Sequence, residues 1–436
     1  MNRQAVKRYA AYKDSGITWL GEVPAHWLEQ RVKDIAVLER GKFTHRPRND
    51  PQMYDGEHPF IQTGDVARAN KYVKNHKQTL SDKGTEVSKK FKKGTLLMAI
   101  AANIGDVAIL GFDSYLPDSI VGFKPKKTDA DYLFYLFTAT KMELNRVKIT
   151  STQDNLNLER LNSLIKFVPP FPEQQAIAAY LDTKTAQIDR QIDLLSQKGA
   201  QYGKLKQSLI NETVTRGLDK SVPMKDSGVE WIGEVPAHWE VKRVKELGNL
   251  VLGKMLDNVK GDNTFYRSYL KSKNIGWLKV EDSNIEKMYF SLAEMKNYRL
   301  KKDDILLSEG GEVGKTSFWN DEIEECYIQN SVHKVTIYKN NSPRFFLYQS
   351  YLLGSIKYYD SIVSHVSIKH LTKEKLSRVN WVRPPFEEQT AIANYLDEKT
   401  AHIDRIVETI NSQIDKLKEL RLTLINDVVT GKIKVA

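Results

Sequence analysis

The sequence predicts an α+β fold in which two related domains of short strands and helices accompany two very long helices. Three observations lead to this prediction. The stretch from Pro170 to Gly217 recurs from Pro385 to Gly431. A shorter segment bounded by tryptophans, Asp14 to Trp27, recurs 212 residues further on. Between the repeated parts lie two middles of about 140 residues that differ in sequence, so the chain consists of two units of one plan.

The long repeat predicts a pair of helices. Each copy begins at a proline pair, and more than forty residues beyond its first turn lack proline. Apolar residues return at every seventh position: Leu181, Ile188, Leu195, Tyr202 and Leu209, then Leu396, Ile403, Ile410, Leu417 and Leu424. Such a heptad seam predicts that each helix packs against the other. A helix of about forty residues spans on the order of 60 Å and would act as a rod. The alternative is a core helix of an ordinary domain.

Each middle predicts a small domain of short strands with helices at its end. The first contains strand-like runs at Pro59–Gln62, Leu96–Ile100, Val107–Leu110 and Ile120–Phe123, and helical stretches at Ala130–Val147 and Leu156–Ile165. The second contains strand-like runs at Ile305–Ser308, Thr316–Trp319 and Val332–Ile337, and helical stretches at Arg344–Ile356 and Leu371–Ser377. The predicted segments are therefore 1–27, 28–169, 170–217, 218–239, 240–383 and 384–436.

Composition limits the classes of protein to which the chain can belong. Its 436 residues are enough for two or three domains, and its net charge of +11 favours an anionic partner, nucleic acid before a membrane surface. Cys326 is the only cysteine, which excludes an internal disulfide framework and a cysteine-based zinc site. No apolar run reaches the length of a membrane span. We expect a soluble, cytoplasmic protein.

The sequence motifs that would indicate a nucleotide-binding or metal site are incomplete in this chain. Ser308 to Thr316 resembles a phosphate-binding loop, but the glycine required five residues before Gly314 is Glu309. A tight turn between strands explains this stretch better. The histidines, including His26 and His238, lack metal-ligand spacing.

Two further motifs are incomplete. Val168 and Arg383 stand where the Pro-Pro-Phe motif of DNA amino-methyltransferases has a residue that accepts hydrogen bonds from the target amino group. Asp182 with Lys184, and Asp397 with Lys399, match half of a nuclease metal site, without a second acidic ligand. Solvated helix faces explain the latter pairs better. We therefore expect no catalytic residue and no metal in this chain.

Basic loops interleaved with aromatic and amide side chains predict a DNA-contacting surface, because cations position phosphates and amides read base edges. In the first middle the candidates are Lys42, Thr44, Arg46, Arg48, Gln62, Thr63, Gln153 and Asn155. In the second middle they are Lys254, Arg267, Lys273, Ser364 and His365. The alternative for any one of them is an ordinary solvated surface.

The repeats resemble a known family. Two copies of Pro-Pro-Phe-x-Glu-Gln-x-Ala-Ile-Ala-x-Tyr-Leu-Asp-x-Lys-Thr-Ala-x-Ile-Asp, at 169–189 and 384–404, resemble the conserved regions of the specificity subunit of type I restriction-modification systems. The segments Trp-Leu/Ile-Gly-Glu-Val-Pro-Ala-His-Trp at 19–27 and 231–239 are similar to that family as well. The resemblance covers essentially the whole chain.

This resemblance implies two target recognition domains, each reading one half of a bipartite double-stranded DNA target, and an antiparallel helix pair that acts as a spacer with pseudo-two-fold symmetry. It implies no catalysis and no cofactor in this chain. It also implies two modification (methyltransferase) subunits with S-adenosylmethionine, two restriction subunits that use ATP and Mg²⁺, and no membrane. The candidates for the partner interface are Trp19, Trp27, Trp231 and Trp239. A rigid spacer would place the half-sites about one helical turn, roughly 34 Å, apart.

Two other classes of function remain open at this point. A coiled-coil adaptor without a DNA role would explain the repeated helices but not the two basic middles, and salt-dependent retention of DNA distinguishes it. A self-contained DNA enzyme would need a metal or cofactor motif, and the failed motifs argue against one.

Overall fold

The computed structural model describes residues 7–147, 158–363 and 369–435, except for the side chains of residues 142–147. Contacts divide the chain into two units. The first unit comprises residues 1–195 and 412–436, and the second comprises residues 196–411. This division cuts across both long helices, whereas the six segments predicted from the sequence stay a prediction.

The first unit contains thirteen strands among its described residues. They are β1 (Tyr12–Asp14), β2 (Glu22–Pro24), β3 (Leu28–Arg31), β4 (Ala36–Arg40), β5 (Tyr54–Phe60), β6 (Tyr72–Val73), β7 (Gln78–Leu80), β8 (Lys89–Phe91), β9 (Leu96–Ala99), β10 (Val107–Leu110), β11 (Ser114–Leu116), β12 (Ile120–Pro125) and β13 (Ile165–Val168). Its helices are α1 (Val32–Ile35), α2 (Thr63–Arg68), α3 (Asp82–Glu86), α4 (Ala130–Val147), α5 (Leu158–Ser163) and the first part of α6 (Phe171–Arg216).

The second unit repeats much of this order. Its strands are β14 (Met224–Asp226), β15 (Glu234–Pro236), β16 (Glu240–Arg243), β17 (Gly248–Leu252), β18 (Thr264–Leu270), β19 (Glu286–Ser291), β20 (Ile305–Ser308), β21 (Thr316–Phe318), β22 (Tyr327–Ile328), β23 (Val332–Ile337) and β24 (Asn380–Arg383). Its helices are α7 (Val244–Leu247), α8 (Leu292–Tyr298), α9 (Pro343–Ser355), α10 (Tyr358–Ile362), α11 (Lys373–Arg378) and the first part of α12 (Phe386–Val429). Short 3₁₀ turns lie at Pro51–Met53 and Ser272–Asn274.

The two units have the same strand order in most of their two larger sheets. The first has a main sheet in the order β4-β12-β9-β10-β6 and a smaller sheet in the order β7-β5-β11-β8. The second has a main sheet in the order β17-β23-β20-β21 and a smaller sheet in the order β19-β18-β22. Strand pairs are antiparallel except for β6 with β10, β5 with β11 and β18 with β22. Within the described residues, the second unit has no strand equivalent to β6 or β8.

The core of the first unit lies on both faces of the main sheet. Leu96 and Met98 of β9 pack in one cluster with residues of α4, α6 and α12, whereas Leu97 belongs to a second cluster that includes Phe91 and Leu116 of the smaller sheet. All four residues of β9 are buried, as are all four of β20 in the second unit. Burial on both faces explains why these strands are nearly continuous apolar runs that the sequence revealed.

A glutamine fixes the start of each long helix. The Gln174 side chain donates to the Pro169 carbonyl at 2.9 Å and accepts from the Asp129 backbone N–H at 2.9 Å. Gln389 does the same with Pro384 at 2.8 Å and Ser342 at 2.7 Å. Both side chains are buried, so each satisfies groups that would otherwise lack a partner at the join between long helix and sheet domain.

The glutamate before each glutamine binds the tryptophan-bounded segment. Glu173 accepts from the Trp27 indole at 3.2 Å and contacts the His26 ring at 2.8 Å. Glu388 accepts from the Trp239 indole at 2.8 Å and contacts His238 at 2.6 Å. A carboxylate in the first turn of a helix is favoured by the helix dipole.

These contacts correct one prediction. Trp27 and Trp239 have no exposed surface, so their assignment to a partner interface is wrong: they pack in the cores and anchor the helix start. Trp19 is 41% exposed and stays an interface candidate. Trp231 is half-buried, with its ring 5.7 Å from that of Tyr358, and its role also stays a prediction.

Burial along α6 and α12 follows the predicted seam. None of the ten seam residues is exposed, whereas their neighbours Leu194, Leu205 and Leu420 are. Inside the second unit, Gly199 lies opposite Ile410 and the Lys206 ammonium is 2.7 Å from Asp404, so the two helix segments there run antiparallel. Inside the first unit, Arg421 lies 3.0 Å from Asp189.

Most elements predicted in the two middles are confirmed. β10, β20, β23 and α4 have the predicted limits, and the other predicted elements begin or end within a few residues of theirs, except that β5 begins at Tyr54 rather than Pro59. The predicted helix over 156–165 lies partly outside the described residues. The sequence analysis missed most strands of the smaller sheets, because strands such as β8 and β19 mix charged residues with apolar ones and are partly exposed.

Replacing Gln389 by alanine tests the role of the buried glutamine. Gln389→Ala leaves the Pro384 carbonyl and the Ser342 N–H without partners, and we expect it to lower the free energy of unfolding by about 2–4 kcal/mol. Chemical denaturation measures this loss. Gln413→Ala, at an exposed position of the same helix, is the control, and equal losses in the two variants would contradict the assignment.

Candidate nucleic-acid interface

Strand register brings the candidate loops of each unit to one edge of its main sheet. In the first unit Arg40 pairs with Val121, and Ile120 pairs with Ala99. The loops 41–50, 100–106 and 117–119 therefore lie together, and we call them the first loop end. In the second unit the equivalent pairs place the loops 253–263, 309–315 and 329–331 together as the second loop end.

A Gly-Lys step opens the first loop of each loop end in the same way. The N–H groups of Gly41 and Lys42 donate to Ile120 and Leu116, each at 2.9 Å. Those of Gly253 and Lys254 donate to Val332 and Ile328, each at 3.1 Å. A Cβ on Gly41 would lie 2.2 Å from a backbone oxygen, and one on Gly253 would lie 2.4 Å from another, so both positions require glycine. The backbone of this Gly-Lys step is thus held in the same way in the two units.

The first loop end presents cations at its surface. Lys42 and Thr44 are exposed, and within the described chain Lys42 has no ion-pair partner. Arg48 donates to both carboxylate oxygens of Asp118, at 2.9 and 2.7 Å. Arg46 donates to the carbonyls of Phe43 and His45. Both arginines are half-exposed, so their guanidinium groups are held in place while one side remains open to a ligand.

The second loop end uses the equivalent lysine differently. The Lys254 side chain is only 11% exposed, and its ammonium lies 3.0 Å from Asp257 and 2.8 Å from Glu294. Burial lowers the pKa of Lys254, but its hydrogen bonds to the two carboxylates outweigh burial and raise the net pKa. Burial raises the pKa of Glu294, and hydrogen bonds from Lys254 and Ser291 outweigh it, so the net pKa is lowered. These ion pairs inside the unit argue against a contact between the Lys254 ammonium and DNA, and the assignment of Lys254 to DNA binding stays a prediction.

Apart from Arg267, the remaining candidates fall into three groups. Gln62 leaves β5 beside the first loop end, with its amide donating to Gln78 at 2.9 Å, and half-buried Thr63 begins α2 there. Lys273 lies at the second loop end, because the N–H of the preceding Ser272 donates to Ser331 at 2.9 Å, and its ammonium is 3.3 Å from Glu286. Gln153, Asn155, Ser364 and His365 lie outside the described residues.

Arg267 lies away from the second loop end. It lies within β18 opposite Met288, with its Nε 2.9 Å from Glu325 and its guanidinium over the Phe265 ring. About three residues of extended strand, roughly 10 Å, separate it from the end of β18 that reaches the second loop end. The structure therefore does not unite Arg267 with the other candidates.

The sequence analysis missed an amide cluster between β22 and β23. The Gln329 side-chain oxygen accepts from both the N–H and the hydroxyl of Ser331, and its amide contacts Asn330. Such amides can form paired hydrogen bonds with adenine. The run Gln329-Asn330-Ser331 between two apolar strands was the available signal.

The stretch that resembled a phosphate loop is a turn between β20 and β21. The Gly314 N–H donates to the Ser308 carbonyl at 2.9 Å, as the Gly105 N–H does to Ala99 in the first unit. Lys315 is ion-paired with Glu312, and Glu309 contacts the His370 ring at 2.8 Å. The prediction of a tight turn is confirmed.

The half-matched nuclease motifs are also structural. Asp182 accepts from the Tyr135 hydroxyl at 2.6 Å, and Asp397 accepts from the Tyr348 hydroxyl at 2.8 Å. Among the described residues, no group of three or more histidine, cysteine, aspartate or glutamate side chains could hold a metal ion. In the same part of the chain, no helix combines the length and apolar character needed to cross a membrane.

Comparison with known proteins identifies the two units. The family described as "Type I restriction modification DNA specificity domain" matches residues 24–200 and again 236–416. A putative type I restriction enzyme MjaX specificity subunit of Methanocaldococcus jannaschii is 27% identical, over 97% of this chain and 98% of its own. The MjaVIII specificity subunit of the same organism is 24% identical, over 95% of this chain and 94% of its own.

Solved structures share the fold. One comes from a study of complex assembly and conformational transition of the type I R-M system; it has a TM-score of 0.71 and 14% identity, and the match covers 93% of this chain and 98% of that one. The HsdS subunit from Thermoanaerobacter tengcongensis has a TM-score of 0.51 and 16% identity, covering 94% of this chain and 98% of that one. At these identities the likeness concerns the fold alone.

The Lys254 cluster predicts a pH-dependent contribution to stability. Lys254→Met leaves Asp257 and Glu294 unpaired and should lower the free energy of unfolding at pH 7 by about 1–2 kcal/mol, since both carboxylates are partly solvated. The lowered pKa of Glu294 means that this contribution is present above the ordinary value of about 4.3 and is lost as the pH falls through the folded-state value. The difference between the two proteins should therefore shrink below about pH 4.

Denaturation of both proteins across pH 3–8 measures this dependence. Lys42→Met is the matched control, since it changes the equivalent but exposed lysine of the first unit and should leave stability unchanged. A destabilisation by Lys254→Met that stays constant down to pH 3 would refute the ion-pair account.

Proposed function

The chain belongs to the type I restriction-modification DNA specificity family, and we propose that, as the non-catalytic DNA-recognition subunit of such a complex, it reads a bipartite target with one half-site for each unit. The family match occurs twice and covers most of both units. Reading DNA in two halves follows from having two recognition domains in one chain.

One observation carries this proposal: a duplicated backbone framework ends in loops of different chemistry. The Gly-Lys step has the same hydrogen bonds in both units, yet Lys42 is exposed and Lys254 is enclosed by carboxylates. Arg46 and Arg48 occupy the first loop end, whereas the second carries the amide cluster of Gln329 to Ser331. A constant scaffold with variable side chains suits two different base sequences, because base contacts specify sequence.

The proposal for partner docking is based on the segments that are alike in the two units. The helix starts and tryptophan-bounded segments have the same contacts in both units, so one kind of partner could bind each unit alike. We propose two modification subunits docked there, joined by two restriction subunits in the full complex. S-adenosylmethionine, ATP and Mg²⁺ would be bound by those partners, and the complex would act in the cytoplasm. We also propose that α6 and α12 set the number of base pairs between the half-sites.

Methylation mapping tests the function. DNA from cells that express this chain with its modification subunit is compared, at single-molecule level, with DNA from cells that express the modification subunit alone. We expect a bipartite adenine-methylated motif only when this chain is present. If the complex assembles and no new motif appears, the proposed function is refuted.

Deleting one heptad from each long helix tests the role proposed for the helices. Removal of residues 191–197 and 413–419 keeps the apolar register and shortens each helix by about 10 Å, equal to roughly three base pairs. We expect the half-sites to keep their sequences while the unread spacer becomes shorter. Methylation mapping detects this change, and an unchanged spacer would contradict the prediction. Replacing the same fourteen residues by other heptads of equal length is the control.

A further inference from the structure

The first loop of the second loop end exposes three large apolar side chains within five residues. Met255 is 74% exposed, Leu256 is 54% exposed and Val259 is 76% exposed. In the first unit, the residue equivalent to Met255 is Phe43, which is 4% exposed and packs against the rings of Phe60 and Tyr54. Apolar side chains grouped at a surface are unfavourable in water and mark sites of interaction.

The backbone of this loop is fixed, so its apolar side chains do not fold back onto the unit. The Tyr289 N–H donates to the Asp257 carbonyl at 3.0 Å, and the Val259 N–H donates to the Asp257 carboxylate at 3.1 Å. The Lys254 ammonium donates to the other oxygen of the same carboxylate. Asp257 is thus tied at three points, while the residues on either side of it face outward.

We propose that Met255, Leu256 and Val259 contact the 5-methyl groups of thymines in the half-site read by the second unit. This inference rests on the proposed function and adds a reading chemistry to it. The thymine methyl is the apolar group that base pairs present in the major groove, and apolar side chains are its usual partners. The side-chain amides of Gln329 and Asn330, which suit adenine, lie at the same loop end.

Charge at this loop agrees with a DNA ligand. Asp257 is the acidic residue between the apolar side chains, and a free carboxylate there would repel phosphates. The hydrogen bond from Lys254, together with the Val259 N–H, holds the pKa of Asp257 below its usual range, and the ammonium, which Glu294 shares, offsets part of its negative charge. Lys260, which follows directly, is exposed. Lys254 therefore acts as a positioning residue for the apolar loop, whereas its equivalent Lys42 is itself exposed.

Uracil substitution tests the contact directly. In a duplex that carries the mapped target, each thymine of the second half-site is replaced by uracil, which removes the methyl group and keeps every hydrogen-bonding group. For the complex of this chain with its modification subunit, we expect affinity to fall about three- to five-fold for each contacted methyl. The triple variant Met255→Ala, Leu256→Ala, Val259→Ala should bind thymine and uracil duplexes equally.

Matched controls isolate the loop. Uracil in the first half-site should not distinguish the triple variant from the unaltered chain. Leu292→Ala removes another exposed apolar side chain of the second unit and should leave the uracil effect intact. Because the three loop side chains are exposed, thermal unfolding should be unchanged in the triple variant.

Three outcomes would overturn the inference alone. The first is that uracil has no effect on binding by the unaltered complex, and the second is that the uracil effect persists in the triple variant. The third is that the triple variant no longer binds the modification subunit but keeps the uracil effect. The last of these would assign the apolar loop to a protein partner. Absence of any bipartite target would instead refute the proposed function.

Discussion

In each unit, the hydrogen bonds of a Glu-Gln pair in the first turn of the long helix join that helix to the rest of the unit. Gln174 joins the Pro169 carbonyl to the start of α4, and Glu173 fixes Trp27. In the second unit Gln389 and Glu388 make the corresponding contacts. Buried polar groups are costly unless they are paired, so these two side chains constrain the direction in which each helix leaves its domain. The Glu-Gln pair occurs in both units because each unit has the same contact between the start of its long helix and its sheet domain.

On this shared framework, the two loop ends carry different side chains. Gly41 and Gly253 make the same close approach to a neighbouring loop, and the residue after each donates to the same strand position. Beyond that point, the first unit continues with arginines and buries Phe43, whereas the second continues with apolar residues and exposes Met255. A fixed backbone lets side chains change without disturbing the core, which is what recognition of two different sequences requires.

Ion pairs decide which cations remain free for a ligand. Arg48 is held by Asp118 yet half-exposed, whereas Lys254 is enclosed by Asp257 and Glu294. Two lysines at equivalent positions therefore differ in their surroundings: Lys42 is exposed, whereas the Lys254 ammonium is bound by the loop that follows it. Lys42 and Lys254 are the same residue type at equivalent positions of the two units. The neighbouring carboxylates, which are brought in by α8 and by the loop itself, make the difference.

The sequence by itself determined the duplication, the long helices with their seam, the buried strands and the family. Each of these depends on a periodic or repeated pattern of residues that are close in the chain, and such patterns are visible without a structure. Only the tertiary structure decided the burial of Trp27 and Trp239, the neutralisation of Lys254, the separation of Arg267 from the loop end, and the exposure of Met255. These depend on contacts between residues that are far apart in the chain, such as Trp27 with Glu173 and Lys254 with Glu294, which the pairing of strands and the packing of helices create.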